Sequence, residues 1–187
     1  MQLILFDIDG TLLRGYGAGA RALVRAGRAI CGPRFQLDGI TISGGLDSVI
    51  YEDAARRMGI PDPDALHDAF RARYLIELAH ELAHSTPRPQ LLPGVLPLLA
   101  AVSARPDLAV GLLTGNYRSA VPIKFHAVGL EYAFAAGAYG DDARLHRREP
   151  RRERARVVLG QDGDEALEGA VDGAVDDHRA VLPVVVA

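Results

Sequence analysis

Residues 2–8 form a short, continuous apolar run, Gln-Leu-Ile-Leu-Phe-Asp-Ile, that ends in acidic residues and Gly10. A strand of this kind is buried on both faces, and such strands occur in parallel sheets covered by helices. A second run, Leu108–Leu113, has the same character and ends in Thr114-Gly115-Asn116. The two runs predict a doubly wound α/β fold, in which the active site lies at the carboxyl ends of the strands.

The chain between these two runs has helical character. Its composition and the spacing of its apolar residues indicate helices, and glycine or proline residues mark their ends. We expect three helices here, at residues 18–28, 47–58 and 64–84. We therefore predict that residues 15–88 form a helical cap inserted into an α/β core made of residues 1–14 and 89–187.

The rest of the chain continues the alternation of helices and strands. The sequence pattern predicts helices at 94–104 and 117–128 and strands at 133–139, 156–160 and 181–186. Strands that alternate with helices are typical of parallel sheets, so this part of the chain supports the doubly wound arrangement.

Charge and hydropathy exclude several classes of protein. The 187 residues carry a net charge of −3, which gives no sign of nucleic-acid binding. No apolar run approaches the roughly 20 residues that cross a bilayer, and Asp7 interrupts the first run before a signal-peptide core could form. Cys31 is the only cysteine, so no internal disulfide can form. We expect a cytoplasmic monomer or homodimer that binds neither nucleic acid nor membranes.

Two acidic residues, Asp7 and Asp9, directly follow the first predicted strand, and Gly10 allows the chain to turn there. One carboxylate can attack an electrophile while its neighbour transfers a proton. Two neighbouring carboxylates also attract a hard cation, for which Mg²⁺ is the natural candidate. An isolated Asp-x-Asp can also serve as a helix cap and a turn acid, so the pair alone leaves a structural role open.

Several motifs carry a resemblance to a known family. Asp7-Ile8-Asp9-Gly10-Thr11 resembles the first motif of the haloacid dehalogenase (HAD) superfamily, and Leu112-Leu113-Thr114-Gly115-Asn116 resembles the second. The chain is similar to the phosphoglycolate-phosphatase-like branch, which has a helical cap between these motifs. Further matching stretches are Ile42–Asp47, Leu92–Val95 and Gly137–Asp142. The resemblance extends from residue 1 to about residue 145 and implies a HAD-like, Rossmann-like core.

The resemblance implies a Mg²⁺-dependent phosphatase that hydrolyses a small phosphorylated metabolite. Asp7 would be the nucleophile that forms an aspartyl-phosphate. Asp9 would protonate the leaving oxygen and later activate water. The Asp7 carboxylate and the Asp9 backbone carbonyl would also be metal ligands. Because phosphomutases share these motifs, the resemblance leaves that activity open.

The second and third motifs supply the remaining candidate residues. By resemblance, the Thr114 hydroxyl and the Gly115 backbone N–H at the start of the next helix would hold the phosphoryl oxygens. Lys124, the only lysine in the chain, matches the third motif and would offset negative charge on the phosphoryl group and the nucleophile. Asn116 and Asp47, which lie in matching stretches, are further candidate substrate-binding residues.

The fourth motif of the superfamily, Gly-Asp-x-x-x-Asp after a strand, has no match. The nearest segment is 157–164, where Gln161 stands in the first acidic position, and its Asp162 and Asp164 are candidate metal ligands. The pair at 176–177 is another candidate. If none of these completes the site, the chain is instead a catalytically impaired HAD-like domain that binds a phosphorylated ligand or a partner protein.

A different motif, His80-Glu81-Leu82-Ala83-His84, lies in the third predicted helix. On a helix this spacing places two imidazoles on one face beside a glutamate, the arrangement found in zinc hydrolases. A zinc site would need a third ligand, so a zinc hydrolase is a further hypothesis. Leu78 and Leu82 indicate instead that this helix packs within the cap.

Overall fold

The structure, a computed structural model, describes residues 2–142 and the strand at 184–186. Its strands are β1 (Gln2–Phe6), β2 (Leu13–Arg14), β3 (Gln90–Leu91), β4 (Leu108–Leu113), β5 (Ala136–Ala138) and β6 (Val184–Val186). Its helices are α1 (Ala18–Cys31), α2 (Asp47–Arg57), α3 (Pro63–His84), α4 (Val95–Ser103) and α5 (Ala120–Val128). None of the helices that it describes is long and apolar enough to cross a membrane.

Four parallel strands form the main sheet, in the order β5-β4-β1-β6. β1 and β4 are neighbours, and their register runs from Gln2 opposite Leu108 to Phe6 opposite Leu112. Both strands therefore end at the same edge of the sheet, where their following loops meet. The predicted α/β fold with a parallel sheet is confirmed.

Apolar side chains from β1, β4, α4 and α5 form the core against this sheet. Its buried members are Phe6, Ile8, Leu12, Leu13, Val95, Leu99, Val110, Leu112, Val121, Phe125 and Leu130. Because the contributing strands carry nearly continuous apolar runs, they can be buried on both faces, as a parallel sheet requires.

Helices α1, α2 and α3, here called the helical unit, have a second core of their own. The rings of Tyr51 and Phe70 stack in it with centroids 3.9 Å apart. The α1 helix approaches Phe35 so closely that a Cβ atom at Gly27 would lie 2.1 Å from its ring. Tyr117, from the loop after β4, is fully buried in the same cluster and links it to the sheet.

The sequence pattern missed two short strands and misplaced the ends of other elements. β2 and β3 form a two-stranded antiparallel sheet where the chain enters and leaves the helical unit. Strands of two residues carry no periodic pattern, so nothing in the sequence indicated them. The helix predicted at 117–128 begins at Ala120, and the strand predicted at 133–139 is confined to β5.

The C-terminal predictions are tested only in part. Within the strand predicted at 181–186, the structure describes Val184–Val186, which pairs in parallel with β1. The predicted strand at 156–160 lies outside the described residues.

Candidate active site

The loop after β1 brings Asp7 and Asp9 to the edge of the sheet. Ile8 between them is fully buried, and both acidic residues line the same cavity. The chain then turns at Gly10, whose φ of 84° is a left-handed conformation that favours glycine. The turn is closed by backbone bonds of 3.0 Å from the N–H groups of Leu12 and Leu13 to the Ile8 carbonyl.

The loop after β4 places the second motif beside this turn. The backbone N–H of Thr114 bonds to the carbonyl of Ala138 over 3.1 Å, which extends the β4–β5 pairing into the loop. Thr114 and Asn116 are buried. Gly115 lies in this loop and not at the start of a helix, because α5 begins at Ala120.

Both loops open into a cavity of about 690 Å³ between the sheet edge and the helical unit. The polar residues that line it include Asp7, Asp9, Arg14, Ser43, Asp47, Tyr74, Thr114, Asn116, Lys124 and Asp142. Every described residue that the sequence singled out for this site is therefore brought to one cavity.

One carboxylate oxygen of Asp9 is held by two donors. Its Oδ2 accepts hydrogen bonds from Asn116 Nδ2 at 2.9 Å and from Lys124 Nζ at 2.5 Å. Lys124 also donates to Asn116 Oδ1, and Asn116 Nδ2 also donates to Thr114 Oγ1 at 2.7 Å. Lys124 is buried, whereas the Asp9 side chain is 49% exposed. The buried ammonium is thus paired and hydrogen-bonded, as a buried charge must be.

The Asp7 carboxylate differs from that of Asp9 in its hydrogen-bond partners. No residue that the structure describes donates a hydrogen bond to it or forms an ion pair with it. Asp7 is half-buried and lines the cavity. A carboxylate without a protein partner keeps its lone pairs available for a metal ion or an electrophile.

Asp47, the first residue of α2, connects the helical unit to the loop after β4. Its backbone N–H donates to the Gly115 carbonyl at 2.8 Å, and its Oδ2 accepts from the Tyr117 N–H at 3.2 Å. The Tyr74 hydroxyl also donates to the Asp47 carboxylate. Burial raises the pKa of Asp47 to about 6, although Lys124 and the Tyr117 N–H act to lower it.

Because the pKa of Asp47 is raised in the folded protein, this residue makes the free energy of unfolding depend on pH. Folding favours the protonated Asp47, so its stabilising contribution is complete below the unfolded pKa of 3.8 and is lost as the pH rises through about 6. Relative to Asp47→Asn, the wild type should lose about 2–3 kcal/mol of unfolding free energy between pH 4 and pH 7. Urea unfolding at both pH values, with Asp38→Asn as a control at an exposed site, measures this difference. An equal difference at both pH values would contradict it.

Glycines allow the helical unit to touch the loop after β4 through the main chain. A Cβ atom at Gly115 would lie 2.2 Å from the carbonyl oxygen of Gly45, and one at Gly140 would lie 2.1 Å from the carbonyl oxygen of Gly115. The Ser48 hydroxyl donates to the Gly140 carbonyl at 3.0 Å. The segment before α2 is therefore held directly against the candidate phosphate-binding loop.

The contact between the helical unit and the loop after β4 also includes a buried hydrogen-bonded pair, which the sequence pattern did not indicate. His67 Nε2 lies 2.9 Å from the Tyr117 hydroxyl, and both side chains are buried. Burial also raises the pKa of Tyr74, so its phenol stays protonated and acts as a donor to Asp47. The helical spacing of His67 and Tyr74 indicated only that they lie on α3; their polar contacts depend on how the helices pack.

The structure gives the His80–His84 motif a structural explanation. Glu81 is buried, accepts a hydrogen bond of 2.7 Å from Arg21 of α1, and forms an ion pair of 2.7 Å with Arg25 of the same helix. The two imidazole rings stack on the surface of α3, and His84 Nδ1 contacts the His80 carbonyl at 2.8 Å. A glutamate that holds two guanidinium groups is not available as a base, so this motif joins α3 to α1.

Part of the predicted metal site cannot be compared with the structure. Asp162 and Asp164, and the pair at 176–177, lie outside the described residues. Within 2–142 and 184–186, no group of three or more His, Cys, Asp or Glu side chains is arranged to hold a metal ion.

Comparison with known proteins gives the family. A model of the haloacid dehalogenase-like hydrolases matches residues 1–161. A search of curated proteins found no match. Similar solved structures include a hydrolase from Pseudomonas syringae, at 19% identity and a TM-score of 0.55, covering 76% of this chain and 63% of that one.

Two other structures show the same fold. CbbY from Rhodobacter sphaeroides in complex with phosphate is 22% identical with a TM-score of 0.55, over 75% of this chain and 64% of that one. A predicted phosphoglycolate phosphatase from Haemophilus somnus 129pt is 19% identical with a TM-score of 0.50, over 79% and 69%. The chain thus spans less than two thirds of the first two proteins. With a family model that matches most of its length and a parallel sheet that carries both motifs at one edge, the chain belongs to the haloacid dehalogenase-like hydrolases.

Proposed function

We propose that this chain is a Mg²⁺-dependent phosphatase that hydrolyses a small phosphate monoester through an aspartyl-phosphate on Asp7. One observation carries the proposal: Asp7 has no partner among the described residues, whereas Asp9 beside it is held by Lys124 and Asn116. Two neighbouring carboxylates in such different surroundings suit two different roles. The free one is suited to attack, and the held one to transfer protons in a fixed direction.

The proposed reaction has two steps at phosphorus. In the first, an oxygen of Asp7 attacks the phosphorus atom, the bond to the leaving oxygen breaks, and Asp9 gives that oxygen a proton. In the second, Asp9 takes a proton from water as the water attacks the same phosphorus atom. The bond between Asp7 and phosphorus then breaks, and inorganic phosphate leaves. Asp7 and Asp9 are both restored.

The loop after β4 is suited to hold the transferring group. Because the Thr114 hydroxyl oxygen accepts a hydrogen bond from Asn116, its own hydrogen remains free to be donated to a phosphoryl oxygen. The backbone N–H of Gly115 would provide a second donor. Lys124, buried beside them, reduces the negative charge around the phosphoryl group, which is what catalysis of phosphoryl transfer mainly requires.

The oxygen atoms available at Asp7 and Asp9 are ligands of the kind that Mg²⁺ prefers. This ion is held by oxygen atoms, commonly by one or two carboxylates together with water and substrate phosphate. The unpartnered Asp7 carboxylate and the Asp9 backbone carbonyl would hold it, with Asp162 or Asp164 as the candidate further ligand. When bound, the ion neutralises negative charge on the phosphoryl oxygens and the nucleophile.

In this proposal the helical unit is a cap over the site, made of residues 15–88. It has a core of its own, and residues 42–47 form part of the cavity wall. The cavity is of a size that suits a small phosphorylated metabolite, because ligand pockets of this kind usually measure about 300–1,000 Å³.

The first test is hydrolysis of p-nitrophenyl phosphate by the full chain, with Mg²⁺ and with a chelator. We expect turnover with Mg²⁺, loss of turnover with the chelator, and recovery when Mg²⁺ is added in excess, because the ion offsets charge that the protein does not neutralise alone. Thermal unfolding with the chelator serves as the control for folding. Turnover that is insensitive to the chelator would contradict the metal requirement. A folded chain without turnover would favour the catalytically impaired HAD-like domain.

A further inference from the structure

Asn116 is the only asparagine in the chain, and its side chain contacts three other candidate catalytic residues at once. Its Nδ2 donates to Asp9 and to Thr114, and its Oδ1 accepts from Lys124. A carboxamide has two N–H donors and one oxygen acceptor with two lone pairs. These contacts use both donors and one of the two lone pairs. Asn116 is also buried, with 5% of its surface exposed.

We infer that Asn116 is a positioning residue, which sets the direction of proton transfer at Asp9 and the orientation of the Thr114 hydroxyl. The inference rests on the proposed phosphatase function. It differs from the expectation that Asn116 binds substrate directly, because its donors are already engaged by the protein.

Asp9 is the first of the two groups that Asn116 positions. Its Oδ2 is occupied by Asn116 and Lys124, both of which donate. A proton on Oδ2 would compete with these two donors, so the proton that Asp9 transfers belongs on Oδ1. The Oδ1 atom lies near Gly15, which also lines the cavity, and a Cβ atom at Gly15 would be 4.0 Å from it. The hydrogen bond from Asn116 therefore helps to hold Oδ2 in place and leaves Oδ1 to transfer the proton.

Thr114 is the second group that Asn116 positions. The Thr114 oxygen accepts hydrogen bonds from the Asn116 side chain at 2.7 Å and from the Asn116 backbone N–H at 3.4 Å, so the hydroxyl hydrogen points to another acceptor. The cavity is the side on which a phosphoryl oxygen would lie. The same carboxamide therefore aligns the proton donor and the phosphate ligand with each other. Small displacements of either group carry large costs in rate, because reacting atoms must be held in a near-attack geometry.

The test compares ethyl phosphate with p-nitrophenyl phosphate in Asn116→Ala and in the near-isosteric Asn116→Asp, which cannot donate to Asp9 while ionised. For ethyl phosphate we expect kcat to fall by about 10- to 100-fold, the usual value of a hydrogen bond to a charged group, with KM changed by less than about threefold. The fall in kcat/KM, which reports the first step, should be smaller for p-nitrophenyl phosphate, because its leaving group needs little help from a proton donor. Asp38→Asn, at an exposed site outside the cavity lining, should leave both substrates unaffected.

A double-mutant cycle with Asp9→Asn completes the test. If Asn116 acts through Asp9, adding Asn116→Ala to Asp9→Asn should cost much less for ethyl phosphate than Asn116→Ala costs alone. Fully additive losses, or a raised KM with kcat unchanged, would overturn the inference and leave the phosphatase proposal standing. A wild-type chain that hydrolyses neither ester would overturn the phosphatase proposal and the inference with it. The same cycle is run with Asn116→Asp, which preserves the size of the side chain, so that the test does not depend on the folding of Asn116→Ala.

Discussion

Replacing Asp7 with asparagine is expected to reduce kcat for p-nitrophenyl phosphate by about 10⁴-fold or more, because a carboxamide oxygen is a poor nucleophile. The unfolding temperature should remain close to that of the wild type, since no described residue hydrogen-bonds to the Asp7 carboxylate. Asp38→Asn, the same chemical change at an exposed site, is the matched control and should keep full activity.

The same variant tests the covalent intermediate. Acid quenching of the wild type during turnover should trap a phosphorylated chain, visible by mass spectrometry and mapped by peptide digestion to Asp7. The Asp7→Asn chain should show no such species. Phosphorylation at another residue, or full turnover by Asp7→Asn, would contradict the assignment of Asp7 as the nucleophile.

Replacing Asp9 with asparagine is expected to have an effect that depends on the leaving group. General acid–base catalysis contributes about 10²–10⁴-fold, so the loss for ethyl phosphate should reach that range. With p-nitrophenyl phosphate the first step needs little protonation, whereas the second step still needs a base for water. The variant should therefore release p-nitrophenolate in a burst of up to one equivalent, followed by slow turnover.

Rapid-quench measurement of p-nitrophenolate, with the enzyme concentration determined independently, gives the size of that burst. Asp38→Asn should show the steady turnover of the wild type. Equal losses for the two esters without a burst would show that Asp9 does not transfer protons in either step. Addition of Mg²⁺ over a range of concentrations separates this result from a weaker affinity for the metal ion.

The sequence predicted the part of the site that depends on strand ends. Asp7, Asp9 and Thr114 each follow a continuous apolar run, and parallel strands that lie side by side must end at one edge. Lys124 could be placed only by resemblance, because its position relative to the acids depends on the packing of α5. The structure brings it to Asp9, and among the described residues it forms no hydrogen bond or ion pair with Asp7.

The contacts between the helical unit and the sheet could not be predicted from local sequence patterns. Asp47 was a candidate substrate-binding residue by its place in a matching stretch, but its bonds to Tyr117 and Gly115 depend on two chain segments 68 or more residues apart. Hydropathy marks Tyr74 and Tyr117 as core residues and carries no information on what their hydroxyl groups contact. Tertiary packing decides these features, which local patterns do not encode.

The close approach of Gly45 and Gly115 has a consequence for changing the specificity of this protein. The spacing between the two segments is set by main-chain atoms, so neighbouring side chains of the cavity wall can be exchanged without altering it. A library that varies Ile42, Ser43 and Leu46 while retaining both glycines would redesign this part of the cavity wall on an unchanged scaffold. Under the proposed function, the two glycines would separate the part of the molecule that selects a substrate from the part that fixes the geometry of the reaction.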